Sequence, residues 1–228
     1  AADLASEQAI LGAVQERVPD HRILSEEAGW SGDAGTAPTW VVDPLDGTTN
    51  FIHGIPQFAI SIGVAVGAEI EYGVIFDPCK DDIFSAARGR GARWNGRPCN
   101  VSDRKGLPGA LLATGFPFKA HRLLDPYLAI FRDVFLRCKA IRRPGAAALD
   151  LAYTACGIFD GFFEFQLSAW DIAAGALIVE EAGGVISDMD GQGNYLDSGN
   201  VVCGSPGVHR ELLEVVQSHG DEWREKTG

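Results

Sequence analysis

Thr39-Trp40-Val41-Val42-Asp43-Pro44-Leu45-Asp46-Gly47-Thr48-Thr49-Asn50-Phe51 is the stretch from which both the architecture and the chemistry of this chain are read. The apolar run at its front predicts a buried strand that stops at Asp43-Pro44. Pro44 fixes its own φ and pushes Asp43 toward an extended conformation. The bend that follows turns Asp43, Asp46 and the Leu45 carbonyl toward one point. Gly47 permits close backbone approach, and the N–H groups of Gly47 and Thr48 would cup a phosphate if a short helix begins there. The plainer alternative is an Asx-type turn at a strand end, with Asp and Gly used for geometry alone.

Two further acidic groups bear on that choice. Ser25-Glu26-Glu27 follows the short apolar run Ile23-Leu24, and Trp170-Asp171 opens an apolar helical stretch, where an aspartate by itself would read as a cap. Three separated acidic groups, each at the end of an apolar element, point to one hard-cation site. Oxygen ligands without nearby Cys or His pairs favour Mg²⁺ or Mn²⁺ over zinc.

Working outward, residues 3–18 predict a helix ended by Pro19-Asp20, and residues 28–38 a loop. Phe58–Val66 and Ile70–Phe76 predict two strands joined by a turn at Gly67-Ala68-Glu69, with a further strand near Ile83-Phe84. A helix is expected over 125–138, with Leu128, Phe131, Phe135 and Cys138 on one stripe. Another is expected over 146–155, a strand over 158–165, and a buried helix over 171–182 closed by Gly183-Gly184. A short strand at Val201-Val202 and a helix over 208–218 complete the pattern. It predicts two packed lobes of mixed sheet covered by helices, 1–139 carrying Glu26, Asp43 and Asp46, and 140–228 carrying Asp171, joined in one catalytic unit.

The bulk properties limit the alternatives. The chain has 228 residues, 46% hydrophobic and 22% charged, which suits one large domain or two intimately packed lobes. A formal charge of −12 opposes strong direct binding to nucleic acid and attraction to anionic lipid. It equally opposes an anionic substrate unless cations are brought in to receive it. No apolar run approaches the roughly 18 residues of a membrane span, so no membrane role is expected. The opening AADLASEQAI shows no secretory pattern. Five cysteines, an odd number without a C-x-x-C pair, predict reduced thiols in a cytoplasmic protein. Gly89 and Gly91 begin a G-x-G-x-x-G pattern that Trp94 breaks, which argues against a dinucleotide loop.

Two segments, Asp43 to Phe51 and Trp170-Asp171-Ile172-Ala173-Ala174-Gly175, resemble the paired motifs D-P-[IL]-D-G-T-x-N-F and W-D-x-A-[AG]-G of the inositol monophosphatase family. Ala113 to Lys119 and Ala146 to Tyr153 look like its bacterial members, and the likeness spans essentially the whole chain. Ser25 stands where the family's G-E-E element has glycine. Family members usually carry a further helix and a mobile loop ahead of the position of Ala1, and that loop helps hold a weakly bound ion. The third ion's site is therefore expected to be the least complete here.

The resemblance implies an α+β fold, a layered αβαβα sandwich of the sugar-phosphatase type. It implies two or three Mg²⁺ ions, with Mn²⁺ as a substitute. Glu26, Asp43 and the Leu45 carbonyl would hold the first, Asp43, Asp46 and Asp171 the second, and Glu26 with waters the third. Glu27 would order the loop. A metal-activated water near Glu26 and Thr48 would attack, with Asp3 matching the family's partner of that threonine. Gly47 and Thr48 would bind phosphate. Asp46, Gly145, Ala147, Glu164 and Asp171 would contact the alcohol, while Ala146 replaces a Ser or Thr of many relatives. His53 matches no catalytic position and is expected at the surface.

The implied activity is hydrolysis of myo-inositol monophosphate by a lithium-sensitive homodimer. Phosphatases of phosphoadenosine phosphate, fructose bisphosphate and histidinol phosphate share the fold, but Thr49-Asn50-Phe51 replaces the Lys-Glu-Phe of the first. Some bacterial members also serve as partners of RNA polymerase and its antitermination factors.

Overall fold

In the computed structural model of the chain, residues 2–33 and 35–227 are described, the side chains of 225–227 excepted. Ala34, inside the expected loop, lies outside the described residues. In chain order the elements are α1 (Ala2–Arg17), β1 (Arg22–Ser25), β2 (Gly29–Ser31), β3 (Thr39–Asp46), α2 (Thr48–Ile52), β4 (Ala59–Val66), β5 (Glu69–Asp77) and β6 (Asp82–Ala87). There follow β7 (Ala92–Trp94), β8 (Arg97–Pro98), β9 (Leu111–Thr114), α3 (Leu124–Arg137), β10 (Ala140–Arg142), α4 (Ala147–Ala155) and β11 (Gly161–Glu164). The chain ends with α5 (Ala169–Glu181), β12 (Val185–Ser187), α6 (Tyr195–Ser198), β13 (Val201–Gly204), α7 (Pro206–Ser218) and α8 (Gly220–Thr227).

Among the described residues the strands form two sheets, ordered β2-β1-β3-β4-β5-β6-β7-β8 and β10-β9-β11-β13-β12. In the first, β1 and β3 run parallel and the remaining pairs are antiparallel. In the second, β9 pairs in parallel with β10 and β11, and β13 is antiparallel to β11 and β12. Helix α1 packs on β3; α4 and α5 lie between the sheets; α7, with α3 and α8 beside it, covers the second sheet. The result is the expected α+β sandwich, layered helix–sheet–helix–sheet–helix. The sheets change over between Pro98 and Leu111, earlier than the expected boundary after residue 139, because β9 joins β10 and β11.

The inner helix α5 reads Ala169-Trp170-Asp171-Ile172-Ala173-Ala174-Gly175, and its buried residues run without interruption from Asp171 to Val179. An uninterrupted apolar run is what a helix covered on every side requires. Its small residues let it lie directly on the first sheet, where a Cβ on Gly73 would come within 2.7 Å of the Ala174 carbonyl oxygen. Among the described residues no helix is long and apolar enough to cross a membrane.

Several local expectations shift. The expected loop over 28–38 contains β2, paired antiparallel with β1, and the strand expected over 158–165 narrows to Gly161–Glu164. The expected strand Thr39–Val42 continues to Asp46. In α3 the stripe Leu128, Phe131, Phe135, Cys138 is not the core face: Pro126, Tyr127, Ile130 and Val134 are buried, while Leu128 and Phe135 are 45% and 59% exposed. The helix carries two apolar stripes of helical spacing. The cluster formed by Leu112, Phe163, Val202 and Leu212 receives the Tyr127 stripe.

Candidate active site

The decisive local feature is a break in the β3–β4 ladder. Asp43 pairs with Ser61 and Asp46 with Ala59, so one extra residue is inserted in β3. Pro44 lies in this interval, and a proline cannot donate to a ladder. Side chains three apart on a regular strand point to opposite faces; the extra residue returns Asp43 and Asp46 to the same side. Parallel pairing supplies the next acid. Ser25 lies opposite Val42, which sets Glu26 beside Asp43, and the Glu26 N–H donates to the Val42 carbonyl at 3.2 Å.

Asp171 arrives from α5. Its N-cap is Ser168, and the Asp171 Oδ2 accepts the Ser168 N–H at 2.7 Å in a capping box. Asp171 therefore lies one turn into the helix, with one oxygen spent on the cap. Oxygens of Asp43, Asp46 and Asp171, all three buried, lie within 4.8 Å of one another.

Each carboxyl is held by backbone. Asp43 Oδ1 accepts the Leu45 N–H at 2.9 Å, and Asp46 Oδ2 accepts the Ala148 N–H at 2.8 Å at the start of α4. Burial is the main cause that pushes Asp43 up to about 10, with Asp46, Glu26 and Asp171 adding repulsion. Asp46 is pushed up to about 8 by burial and then by Asp171. Burial also raises Glu26 and Asp171, the former with repulsion from Asp171. Four acids in one buried corner cannot all ionise unless positive charge enters. The donor set, carboxylate oxygens with the Leu45 carbonyl beside them, fits a hard divalent cation.

Gly47 takes φ 87°, and a Cβ there would come within 2.9 Å of the Gln57 carbonyl, so glycine is required twice over. The short helix α2 begins at Thr48. Thr48 Oγ1 donates to the Leu45 carbonyl at 3.0 Å, not to Asp3. Asp3 lies in the first turn of α1, one turn before Ser6, whose hydroxyl donates to the Pro44 carbonyl at 2.9 Å. Buried Asn50 ties α2 to the opposite wall, its Nδ2 facing the carbonyls of Gln57 at 2.8 Å and Pro144 at 2.9 Å.

These residues line one cleft of about 460 Å³ that includes Glu26, Asp43, Leu45, Asp46, Gly47 and Thr48, with Gly145, Ala147, Glu164 and Asp171. Of the expected site residues, Asp3 is not among those lining the cleft. The cleft opens at the C-terminal ends of β1 and β3 in one sheet and of β9, β10 and β11 in the other. Ends of parallel strands are where open sheets place ligands. Glu164 lies against Gly115, where a Cβ would overlap its carboxyl, and burial pushes it up to about 8. Ala146 caps α4 without a side-chain hydrogen bond, in keeping with the missing Ser or Thr. His53 is exposed, as expected.

Residue reading missed four participants. Glu7, buried in α1, accepts the Ser25 hydroxyl and the Ala28 N–H at 3.0 Å, and so orders the Glu26 loop. The ordering role expected of Glu27 falls to Glu7 instead, for Glu27 is exposed. Ser25, in place of glycine, contributes a hydroxyl to that arrangement. Lys119, Arg143 and Asp150 also line the cleft. Arg143 stacks its guanidinium 5.8 Å and 5.1 Å from the ring centres of Phe116 and Phe118. The available signal was position, since Lys119 and Arg143 follow the ends of β9 and β10.

Residues 1–221 match the profile of the Inositol monophosphatase family. The chain belongs to that family. Membership, together with the acidic cleft, makes it a phosphatase. Nus factor SuhB of Pseudomonas aeruginosa is 49% identical over 221 residues, covering 95% of this chain and 82% of that protein. Among solved structures, the extragenic suppressor protein suhB of Bartonella henselae superposes with a TM-score of 0.91 at 40% identity, over 94% of this chain and 83% of the other. The inositol monophosphatase of Anabaena superposes with a TM-score of 0.90 at 39% identity, over 95% and 86%. Family members are typically metal-dependent, and the acidic cluster of this chain fits that pattern.

Proposed function

We propose that this protein hydrolyses phosphate monoesters of small polyhydroxylated alcohols, with myo-inositol monophosphate the leading substrate and Mg²⁺ the cation. The observation that carries the reading is the buried trio Asp43, Asp46 and Asp171, with oxygens within 4.8 Å. Glu26, Asp43, Asp46, Asp171 and the Leu45 carbonyl would hold the ions. Divalent cations supply charge that stabilises the phosphoryl oxygens and the departing alkoxide. The N–H groups of Gly47 and Thr48, at the start of α2, orient the phosphate. Glu26, half-buried and raised by burial, would take a proton from the attacking water. Glu164, Gly145 and Ala147 receive the alcohol. The Anabaena relative's name supports the choice of inositol ester.

Release of inorganic phosphate from a panel of esters, with and without Mg²⁺, tests the reading. Inositol monophosphate is expected to lead the panel, with lithium lowering the rate. Turnover that is unaffected by chelator would overturn the cation assignment, and preference for a nucleotide or histidinol ester would overturn the substrate.

A second role is favoured by the naming of the Pseudomonas aeruginosa relative as a Nus factor. It is binding, through the outer surface, to RNA polymerase or its antitermination factors. Capture of these proteins by an Asp171→Asn variant tests it, and absence of capture refutes it. The same reading makes the protein a cytoplasmic homodimer, to be checked by light scattering. A reducing compartment suits its five free cysteines.

A further inference from the structure

Asp150 is the one buried acid of the cleft to which nothing above assigns a task. It lies in the first turn of α4, is 1% exposed, and lines the same cleft as the metal-site carboxylates. Its backbone is committed. The N–H donates to the Ala146 carbonyl at 3.0 Å, and the carbonyl accepts the Thr154 hydroxyl at 2.8 Å. Its side chain is not, for Oδ1 is shut off from solvent and has no hydrogen-bond partner among the described residues. Nor does the carboxyl cap α4, whose N-cap is Ala146, and it lies outside the trio that fits a cation.

A buried polar atom without a partner is disfavoured, and such atoms are rare unless something else completes them. In the wall of an open cleft, that something is a ligand. The surroundings define its chemistry. After burial itself, Glu164 and then Asp46 disfavour its ionised form, and the cation opposing them is Arg143. An anionic group would be repelled beside these carboxyls. A neutral hydroxyl can donate to one carboxyl oxygen and accept from a protonated neighbour. Asp150 from α4 and Glu164 from β11 line the same cleft, and the two carboxyls are a suitable pair for hydroxyls of one ring.

Resting on the phosphatase reading above, we propose that Asp150 determines specificity by binding a hydroxyl of the alcohol part beside Glu164, so that polyhydroxylated esters are selected over simple ones. The test compares wild type with Asp150→Ala, Asp150→Leu and Asp150→Asn in Mg²⁺. The substrates are myo-inositol 1-phosphate and p-nitrophenyl phosphate, which offers this wall no hydroxyl. The leucine fills the volume that the carboxyl leaves, which provides a second variant should alanine leave a damaging void. Removing the carboxyl is expected to raise KM for the inositol ester about tenfold or more, while kcat/KM for p-nitrophenyl phosphate stays within about twofold. Asparagine, which keeps an acceptor oxygen, should recover most of the loss. Parallel losses on both esters, or an unchanged KM for both, would overturn the assignment. A wild type inert toward both esters would instead remove the phosphatase reading and this inference with it, a distinguishable outcome.

Discussion

Two strands of the first sheet carry an Asp-Pro, β5 at its end and β3 within its length, and the two sites behave oppositely. At the end of β5, Asp77 is fully buried, and each of its oxygens is partnered. Oδ1 accepts the Cys79 and Lys80 N–H groups at 2.9 and 3.3 Å; Oδ2 accepts the Lys80 ammonium at 2.6 Å and the Tyr153 hydroxyl at 3.3 Å. Within β3, Asp43 is as deeply buried, but its Oδ1 accepts a single N–H, from Leu45, and its charged neighbours are acids. The dipeptide is the same. A carboxylate beside a cation and several donors completes a turn, whereas one among other carboxylates leaves a charge for something outside the chain to neutralise.

The largest expected effect separates these two corners by activity. Asp171→Asn or Asp43→Asn should lower Mg²⁺-dependent phosphate release on the order of 10³-fold with the circular dichroism spectrum intact, since each removes charge that acts on the transition state. Near-normal turnover by either variant would break the distinction. Asp77→Ala should do the reverse. It is expected to cost about 2–3 kcal/mol of stability in urea melts, through loss of the turn's hydrogen bonds, with turnover per folded molecule unchanged.

A third measurement uses pH in the presence of chelator. Burial, followed by repulsion from Asp46 for Asp43 and from Asp171 for Asp46, raises the two to about 10 and about 8. A carboxyl raised in the folded state stabilises fully below the ordinary aspartate range and loses that contribution as pH rises through its folded value. Metal-free protein should therefore lose stability progressively from mildly acid pH through about 8 and on toward about 10. Mg²⁺ should flatten the slope, and Asp43→Asn should reduce it without Mg²⁺. A pH-independent metal-free melt would contradict the picture of crowded acids. The smallest effect belongs to Lys80→Met. Its side chain is 44% exposed, so screening keeps the expected loss below about 1 kcal/mol.

The candidate site was more legible than the fold around it. The acids sit in short, chemically loaded stretches, Asp43 to Gly47 and Trp170-Asp171, that announce themselves by residue type. The front of β3 and the inner helix α5 were plain in hydrophobic pattern, although β3 runs on through Asp43-Pro44 to Asp46. The stripe in α3 was misplaced because Leu128 and Phe135 show the same helical spacing as the buried Tyr127 and Val134, and periodicity cannot rank two apolar faces. β2, β9, β10 and β12 span three or four residues each, too few for alternation to register. Nothing local sets Glu7 apart from a solvated helix glutamate; its partners, Ser25 and Ala28, lie about twenty residues on and meet it only in the folded chain.

By itself the sequence determined the turn chemistry at Asp43-Pro44-Leu45-Asp46-Gly47, the apolar character of α5, and the kind of ligand that such oxygens accept. These are local properties, set by backbone sterics and by side-chain type within a few residues. Only the tertiary structure decided that the extra residue in β3 would return Asp43 and Asp46 to one face, that parallel pairing would set Glu26 beside them, and that α5 would bring in Asp171. It also decided that Asp150 would face the cleft with an oxygen unpaired. Those outcomes depend on how the sheets and inner helices pack, which is the summed effect of many weak contacts between residues distant in the chain.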